Sequence, residues 1–385
     1  MSVDQNISTR INLMRIFLIS GIVFVHVPFD PATSAYAGGQ GAFDWFRVLL
    51  GDSFFRIGVP CLSAISGYLL FRRGSEAFDY PKTVRTKVET LLAPFLIWNI
   101  GLFVFVALIQ SQGAGIGFFP DLWHASFRQL TSYLFSLEEF PIDLPLYFLR
   151  DLFVCILLSP ILAFLVRRAP VVTCVLLFGL AILPGVTIGL VLKKSILFSF
   201  TFGIALALYK VDVKALDRHA VLGAALTVLA ATLLSVGLYL TGPDYPYLLD
   251  LARNTLSIVG ALGFWLLSAL ATPTALGQRL ANTGSLSFWI FCGHYPLLLM
   301  LWMTWRRFMD NDAYPVFYFG AIVLTFFILV VSNTLISRYL PSLYQVMTGS
   351  RGRKSRSSSE GQSMRSHTHP GTQWHTHKSA VKVNR

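Results

Sequence analysis

Apolar runs of roughly 20 residues recur along most of the chain, separated by short charged or proline-bearing breaks. Wound as helices, runs of that length match a hydrocarbon core of about 30 Å. The pattern predicts ten helical spans, at 11–28, 52–71, 91–110, 146–166, 171–190, 194–210, 219–240, 253–272, 285–304 and 315–338. Two breaks are slight. Arg167, Arg168 and Pro170 divide the fourth span from the fifth, and Lys193 and Lys194 alone divide the fifth from the sixth.

Composition supports the pattern. Of 385 residues, 54% are hydrophobic and only 13% are charged, about half the charge of a soluble chain. The fold class expected is an all-α polytopic membrane protein. The first apolar run, Ile11 to Pro28, has no small-residue cleavage site after it and carries Arg15 and His26, which argues against a cleaved signal. All four cysteines, Cys61, Cys155, Cys174 and Cys292, lie in apolar stretches without CxxC spacing. They read as small buried hydrophobes, not as disulfides or metal ligands.

The net charge of +12 raises nucleic acid as a partner, but its distribution points to a membrane. With the N-terminus placed in the cytoplasm, most lysines and arginines fall in inner segments: Arg10, the 72–87 loop, Arg167 and Arg168, the 210–218 loop, Arg279 and the C-terminal end. Asp121, Glu138, Glu139, Asp143, Asp244 and Asp250 fall in outer loops. This positive-inside bias predicts an even number of spans and both termini cytoplasmic. Three segments follow: a short cytoplasmic N-terminus at 1–10, a transmembrane domain at 11–340, and a basic tail at 349–385. The tail is rich in Ser, Arg and His, and its composition predicts disorder. Its HTHP and HTH pairs could chelate a metal only weakly, and a basic strip facing anionic lipid is the better reading. The chain has no repeat of 20 to 50 residues, no P-loop and no Rossmann fingerprint.

Against this background the intramembrane polar residues stand out. Arg15 and His26 are eleven positions apart, about three turns, so they share one helical face roughly 16 Å apart. Alone, Arg15 could snorkel to head groups and His26 could be an interfacial histidine. Ionisable residues within spans are functional candidates by default, and the shared face suggests a polar path along this helix. In the second span, FRIGVPCLSAISGYLLFRR, Arg56 is a charge without an evident sequence neighbour, and the small residues also suit plain helix packing. The segment after it, FRRGSEAFDYPKTVRTKVETLLAP, is basic and suits an anionic substrate or lipid phosphates equally well. The fourth span opens PLYFLRDLF, with Arg150 and Asp151 adjacent; neighbours in sequence do not face each other on a helix, so each is expected to have another partner. The ninth, SLSFWIFCGHYPLLL, places His294 near mid-span, two residues before the helix-loosening Pro296.

Together these stretches resemble the membrane acyltransferase 3 family. The Arg15–His26 spacing, GVPCLSAISGYLL, VRTKVETLLAP, LYFLRDLF followed by Ser159 and Pro160, and SLSFWIFCGHYPLL look like the family's motifs, in order, over residues 10 to 340. Among members the chain looks most like rhizobial succinyltransferases that decorate succinoglycan, an exopolysaccharide. It departs from the common pattern at Ile16, at Pro60, Cys61 and Leu62, and at Tyr147.

The resemblance implies an O-acyltransferase of the bacterial inner membrane. It would move an acyl group, succinyl in preference to acetyl, from cytoplasmic acyl-CoA to a hydroxyl of an exopolysaccharide or its lipid-linked precursor. His26 is then the expected general base, a role that typically contributes roughly 10²- to 10⁴-fold. Arg15 would hold the donor phosphate or thioester end, and Arg85 and Lys87 would form the cytoplasmic landing site for CoA. Arg56, Arg150 and His294 complete the expected substrate-binding set, the two arginines being suited to a succinyl carboxylate. With no GxSxG elbow, direct transfer is favoured over a serine acyl-enzyme. No metal and no bound cofactor are expected; succinyl-CoA or acetyl-CoA is the donor substrate. Expected partners are membrane lipid, a glycan or lipid-linked oligosaccharide acceptor, and other polysaccharide-biosynthesis proteins, with no nucleic acid. The rival class is a transporter or flippase of lipid-linked glycan, for which buried Arg and His would be substrate or proton sites.

Overall fold

The computed structural model describes residues 3–349, other than 75, 77, 285 and 310. Among these residues the secondary structure is helical, and no strand forms beyond two isolated bridges in loops, at 116–119 and 188–191. The helices are α1 (Val3–Val25), α2 (Ala42–Val48), α3 (Gly58–Phe71), α4 (Tyr80–Lys87), α5 (Ala93–Ser111), α6 (Phe127–Phe135), α7 (Tyr147–Leu157), α8 (Ser159–Arg168), α9 (Pro170–Ile182), α10 (Lys194–Leu208), α11 (Ala220–Thr241), α12 (Tyr247–Ala271), α13 (Ala275–Asn282), α14 (Leu286–Phe308), α15 (Tyr314–Tyr339) and α16 (Pro341–Thr348). The predicted tail lies outside the described residues beyond Gly349.

Each of the ten predicted apolar segments is largely helical. Among the described residues, seven helical stretches are long and apolar enough to cross a membrane: Gln5–Val25, Ala42–Phe71, Tyr80–Ser111, Val213–Thr241, Tyr247–Ala271, Leu286–Phe308 and Asn311–Tyr339. The predicted fourth span is a pair of helices, Leu144–Leu157 and Ser159–Arg168, meeting at 60°. Pro160 stands in the first turn of the second helix, where its missing N–H interrupts the ladder. The fifth and sixth segments form the shorter helices α9 and α10. Helix α9 stops at Ile182 instead of running to 190, because the Leu-Pro-Gly that follows breaks it and Gly185 takes a φ of 72°.

Two long stretches begin earlier than their apolar runs. The second includes α2 and a wide, π-type turn at Leu49–Phe54 before α3. The third includes the basic segment Tyr80–Lys87, expected as a loop. That segment is helical because Asp79 caps it, its carboxylate accepting from Lys82 N at 3.1 Å. A second wide turn, Val88–Leu92, joins it to α5.

The core joins α1, α3, α7, α10, α14 and α15. Helices α3 and α10 cross almost backbone to backbone. A Cβ at Gly67 would fall 2.0 Å from the Phe200 carbonyl oxygen, and one at Gly203 would fall 2.0 Å from that of Ala64. Small residues permit this close approach, as in other membrane helix pairs. Arg10, read from sequence as an inner-loop charge, is instead only 1% exposed. It donates to Asp217 at 2.7 Å and to the Trp265 carbonyl at 2.6 Å, tying α1 to α12.

Candidate active site

Helix α1 carries the pair that the sequence placed on one face. His26 follows its last residue, Val25, and is half-buried. Its Nδ1 lies 2.9 Å from the Ile22 carbonyl oxygen, one turn back. A carbonyl can only accept, so Nδ1 carries the proton and donates, leaving the Nε2 lone pair as the basic position. A cavity of ≈ 330 Å³ opens at this residue, lined by His26, Phe29, Gly117, Phe118, Tyr295 and Trp302 among others. The Tyr295 ring meets the His26 ring edge-on, with centroids 5.8 Å apart.

Behind His26 stands His294, which is fully buried. Its Nδ1 lies 3.0 Å from the Ile290 carbonyl oxygen and 2.8 Å from that of Phe291, so that nitrogen too is the donor. The remaining lone pair, on Nε2, faces His26 Nδ1 at 3.4 Å. The His26 N–H is therefore shared between a carbonyl and an imidazole. Both acceptors fix the tautomer and the ring orientation, so Nε2 of His26 is the nitrogen left to meet a substrate proton. His294 thus touches His26 and has no exposed surface through which to meet a substrate directly.

The segment between α5 and α7 closes over this end. Asn99 is fully buried; its Nδ2 donates to the carbonyls of Tyr133 and Leu134, both at 2.7 Å, and its Oδ1 accepts from Asp143 N at 3.0 Å. Gln110 holds the earlier part of the segment through the Pro120 carbonyl at 2.9 Å and Leu122 N at 3.0 Å. These clamps seat Gly117 and Phe118 on the cavity. Asp143 is itself fully buried, and neither carboxylate oxygen has a hydrogen-bond partner among the described residues. Burial raises that carboxyl well above the usual carboxylate range.

Eleven residues before His26, near the middle of α1, Arg15 is half-buried and makes no hydrogen bond or ion pair with a described residue. Lys87, also half-buried and also without a counter-ion among the described residues, lies within its electrostatic reach. Like charges so placed leave a gap that an anion would neutralise. Arg85 differs: its side chain is 87% exposed and sits 3.7 Å from Glu89 on the same helix.

The two arginines expected to read a carboxylate separate. Arg150 is committed: its Nη1 lies 2.9 Å from Asp151 and 2.7 Å from the Leu190 carbonyl. Asp151 also accepts from Leu192 N at 3.1 Å and Lys193 N at 2.9 Å, so the pair braces the 183–193 loop against α7. Sequence neighbours do therefore meet here, because both side chains reach to the same loop. Arg56, 39% exposed, bonds Asp52 at 2.7 Å, one turn before it, and lies within electrostatic reach of His26. Sequence reading missed Asp52, Arg253, Lys193 and Tyr295. For Arg253 the signal was present, a charge just inside an apolar run, but its partner Asp52 lies about two hundred positions away. Among the described residues no three His, Cys, Asp or Glu side chains are placed to hold a metal, and the tail histidines lie outside those residues.

A family model described as an acyltransferase domain matches residues 8–334. The succinoglycan biosynthesis protein ExoH of Rhizobium meliloti (strain 1021) is 55% identical over 348 residues, which is 90% of this chain and 94% of that protein. No solved structure matches the chain. A helical chain with seven potential membrane crossings, a histidine pair beside a cavity and a domain match over nearly its whole length is a multi-pass membrane protein of the acyltransferase 3 family.

Proposed function

We propose that this chain is a succinyltransferase acting on an exopolysaccharide or its lipid-linked precursor, with succinyl-CoA as the cytoplasmic donor and acetyl-CoA as the alternative. Its ten predicted segments then cross the inner membrane, with both termini cytoplasmic; α7 with α8 makes one bent span, and α9 and α10 make two short ones. The relative's printed role in succinoglycan biosynthesis supports the acceptor class.

The observation that carries the reading is the His26 arrangement: a protonated Nδ1 held by Ile22 and His294 beside a cavity. In the reaction, Nε2 of His26 accepts the proton of a sugar hydroxyl while that oxygen attacks the thioester carbonyl carbon. The new C–O bond forms, the C–S bond breaks, and the proton passes to the departing thiolate, giving ester and free CoA. Arg15 and Lys87 would bind the donor's phosphates by charge-assisted hydrogen bonds, and Arg85 would contribute at longer range. Arg56 would face the acyl group. Arg150 would act through Asp151 and the loop it holds.

The test is mass analysis of the exopolysaccharide from cells with and without the gene, and with His26→Ala. Loss of succinyl esters in both altered strains is expected. Unchanged esters without the gene would overturn the reading, and unchanged glycan acylation combined with lost glycan export would favour a flippase.

A further inference from the structure

Asp52 lies at the centre of a charged group that joins several elements at the His26 end. Its Oδ1 accepts from Arg56 Nη2 at 2.7 Å and Nε at 3.1 Å, and from Arg253 Nη2 at 3.3 Å. Its Oδ2 accepts from the Tyr36 hydroxyl at 3.0 Å. Arg253 also lies 3.6 Å from Asp250 and donates to the Tyr245 hydroxyl. Lys193, just before α10, is within electrostatic reach of both Arg56 and Arg253. It is exposed, its ammonium stands 5.3 Å from the Phe140 ring centre, and it forms no ion pair with a described residue.

Lys193 is also within electrostatic reach of Asp151 and Asp250, and Asp151 is paired with Arg150, so four cations here face three carboxylates and the group keeps a positive surplus. Asp52 is saturated by its partners, while Arg56 spends Nε and Nη2 on one oxygen and leaves Nη1 unengaged among the described residues. Arg56 is also within electrostatic reach of His26 and Tyr147. The N-termini of α10 and α12 lie at the same end, adding partial positive charge. A second anion would relieve the mutual repulsion of Lys193 and the two arginines and engage a fork that suits carboxylate geometry.

We propose that Arg56, Arg253 and Lys193 form a carboxylate subsite that binds the free end of a dicarboxylic acyl group while its carbonyl carbon lies at His26. This rests on the acyl-transfer reading above and assigns its choice of acyl group to residues on α12 and before α10. Arg150 is left out of the subsite because its charge is balanced by Asp151, with Nη1 shared between that carboxylate and the Leu190 carbonyl. Asp52 positions the two arginines, both of which donate to its Oδ1.

The experiment supplies succinyl-CoA and acetyl-CoA separately, with one glycan acceptor, to membranes carrying equal amounts of wild type, Lys193→Gln or Arg253→Lys, and measures kcat/KM for each donor. Lys193→Gln removes a charge whose side chain forms no hydrogen bond or ion pair with a described residue, and equal amounts in the membrane check that folding is preserved. Arg253→Lys keeps the charge and removes the fork. The succinyl-to-acetyl preference is expected to fall about tenfold in each variant, the scale of one charge-assisted hydrogen bond. Equal losses for both donors would place the anion on the acceptor and overturn the proposal, as would an unchanged preference. Wild type that transfers acetyl only would overturn the subsite and leave the acyl-transfer reading standing. Wild type that transfers neither group would overturn that reading itself.

Discussion

Around Arg15, midway along α1, two cations, Arg15 and Lys87, lie within reach of each other with no carboxylate partner among the described residues. At the His26 end, Arg56 and Arg253 share the Asp52 carboxylate at 2.7 and 3.3 Å, and the histidine has both its N–H acceptors in place. One region is electrostatically incomplete and becomes balanced only when an anion arrives. The other has its proton-handling groups in place before any substrate binds, although Arg56, Arg253 and Lys193 beside it keep a positive surplus. Such a division suits transfer from a multiply charged thioester to a neutral hydroxyl. On the function proposed above, ground-state binding energy would be gathered at the first, and the proton would be handled at the second, where fixed acceptors act without reorganisation.

Substitutions in the two regions should break this comparison in different ways. The largest effect is expected from His26→Ala. It should lower kcat by roughly 10²- to 10⁴-fold, the usual worth of a general base, with the protein still present in the membrane. Transfer kinetics alongside immunoblotting of membranes check this, and near-normal kcat would remove His26 from the role. Next come Arg15→Ala and Lys87→Ala. Each should raise the apparent KM for acyl-CoA about tenfold, because a charge-assisted contact made in ground and transition states alike is lost. A fall in kcat at unchanged KM would show that the Arg15 region also stabilises the reacting atoms.

His294→Leu should be milder, a loss of about fivefold to tenfold in kcat, since Ile22 still accepts from His26 Nδ1 when the imidazole acceptor is gone. Loss as complete as that of His26→Ala would make the two histidines one catalytic unit. Arg85→Ala should change KM by less than about threefold, because an exposed residue paired at 3.7 Å contributes little. Deleting all residues after Gly349 should leave both kinetic constants unchanged, since that composition cannot bury enough apolar surface to fold. An inactive but normally inserted truncation would give the tail a function.

Much of this was legible from the chain alone, but unevenly. Helical period placed Arg15 and His26 on one face, and run length located the apolar helices, since both depend on neighbours a few residues away. Helix α9 ended early for a local reason as well, the Leu-Pro-Gly at 183–185, which run length outweighed. What pattern could not supply was pairing at a distance. His294 meets His26 across 268 positions, and Arg253 meets Asp52 across 201. Arg56's partner was legible but overlooked: Asp52 stands four positions earlier, the spacing at which side chains pair along a helix. Arg150 was misleading for the opposite reason: it looked free for substrate, yet a loop forty residues later takes its donors.

The division between the two regions is tested most directly by sidedness. The unaltered protein is prepared in right-side-out and inside-out membrane vesicles, with glycan acceptor available to both faces and labelled succinyl-CoA supplied to one face at a time. The account requires ester formation only when succinyl-CoA meets the cytoplasmic face, where Arg15 and Lys87 would receive it. Ester formation at equal rates from the outer face would contradict it.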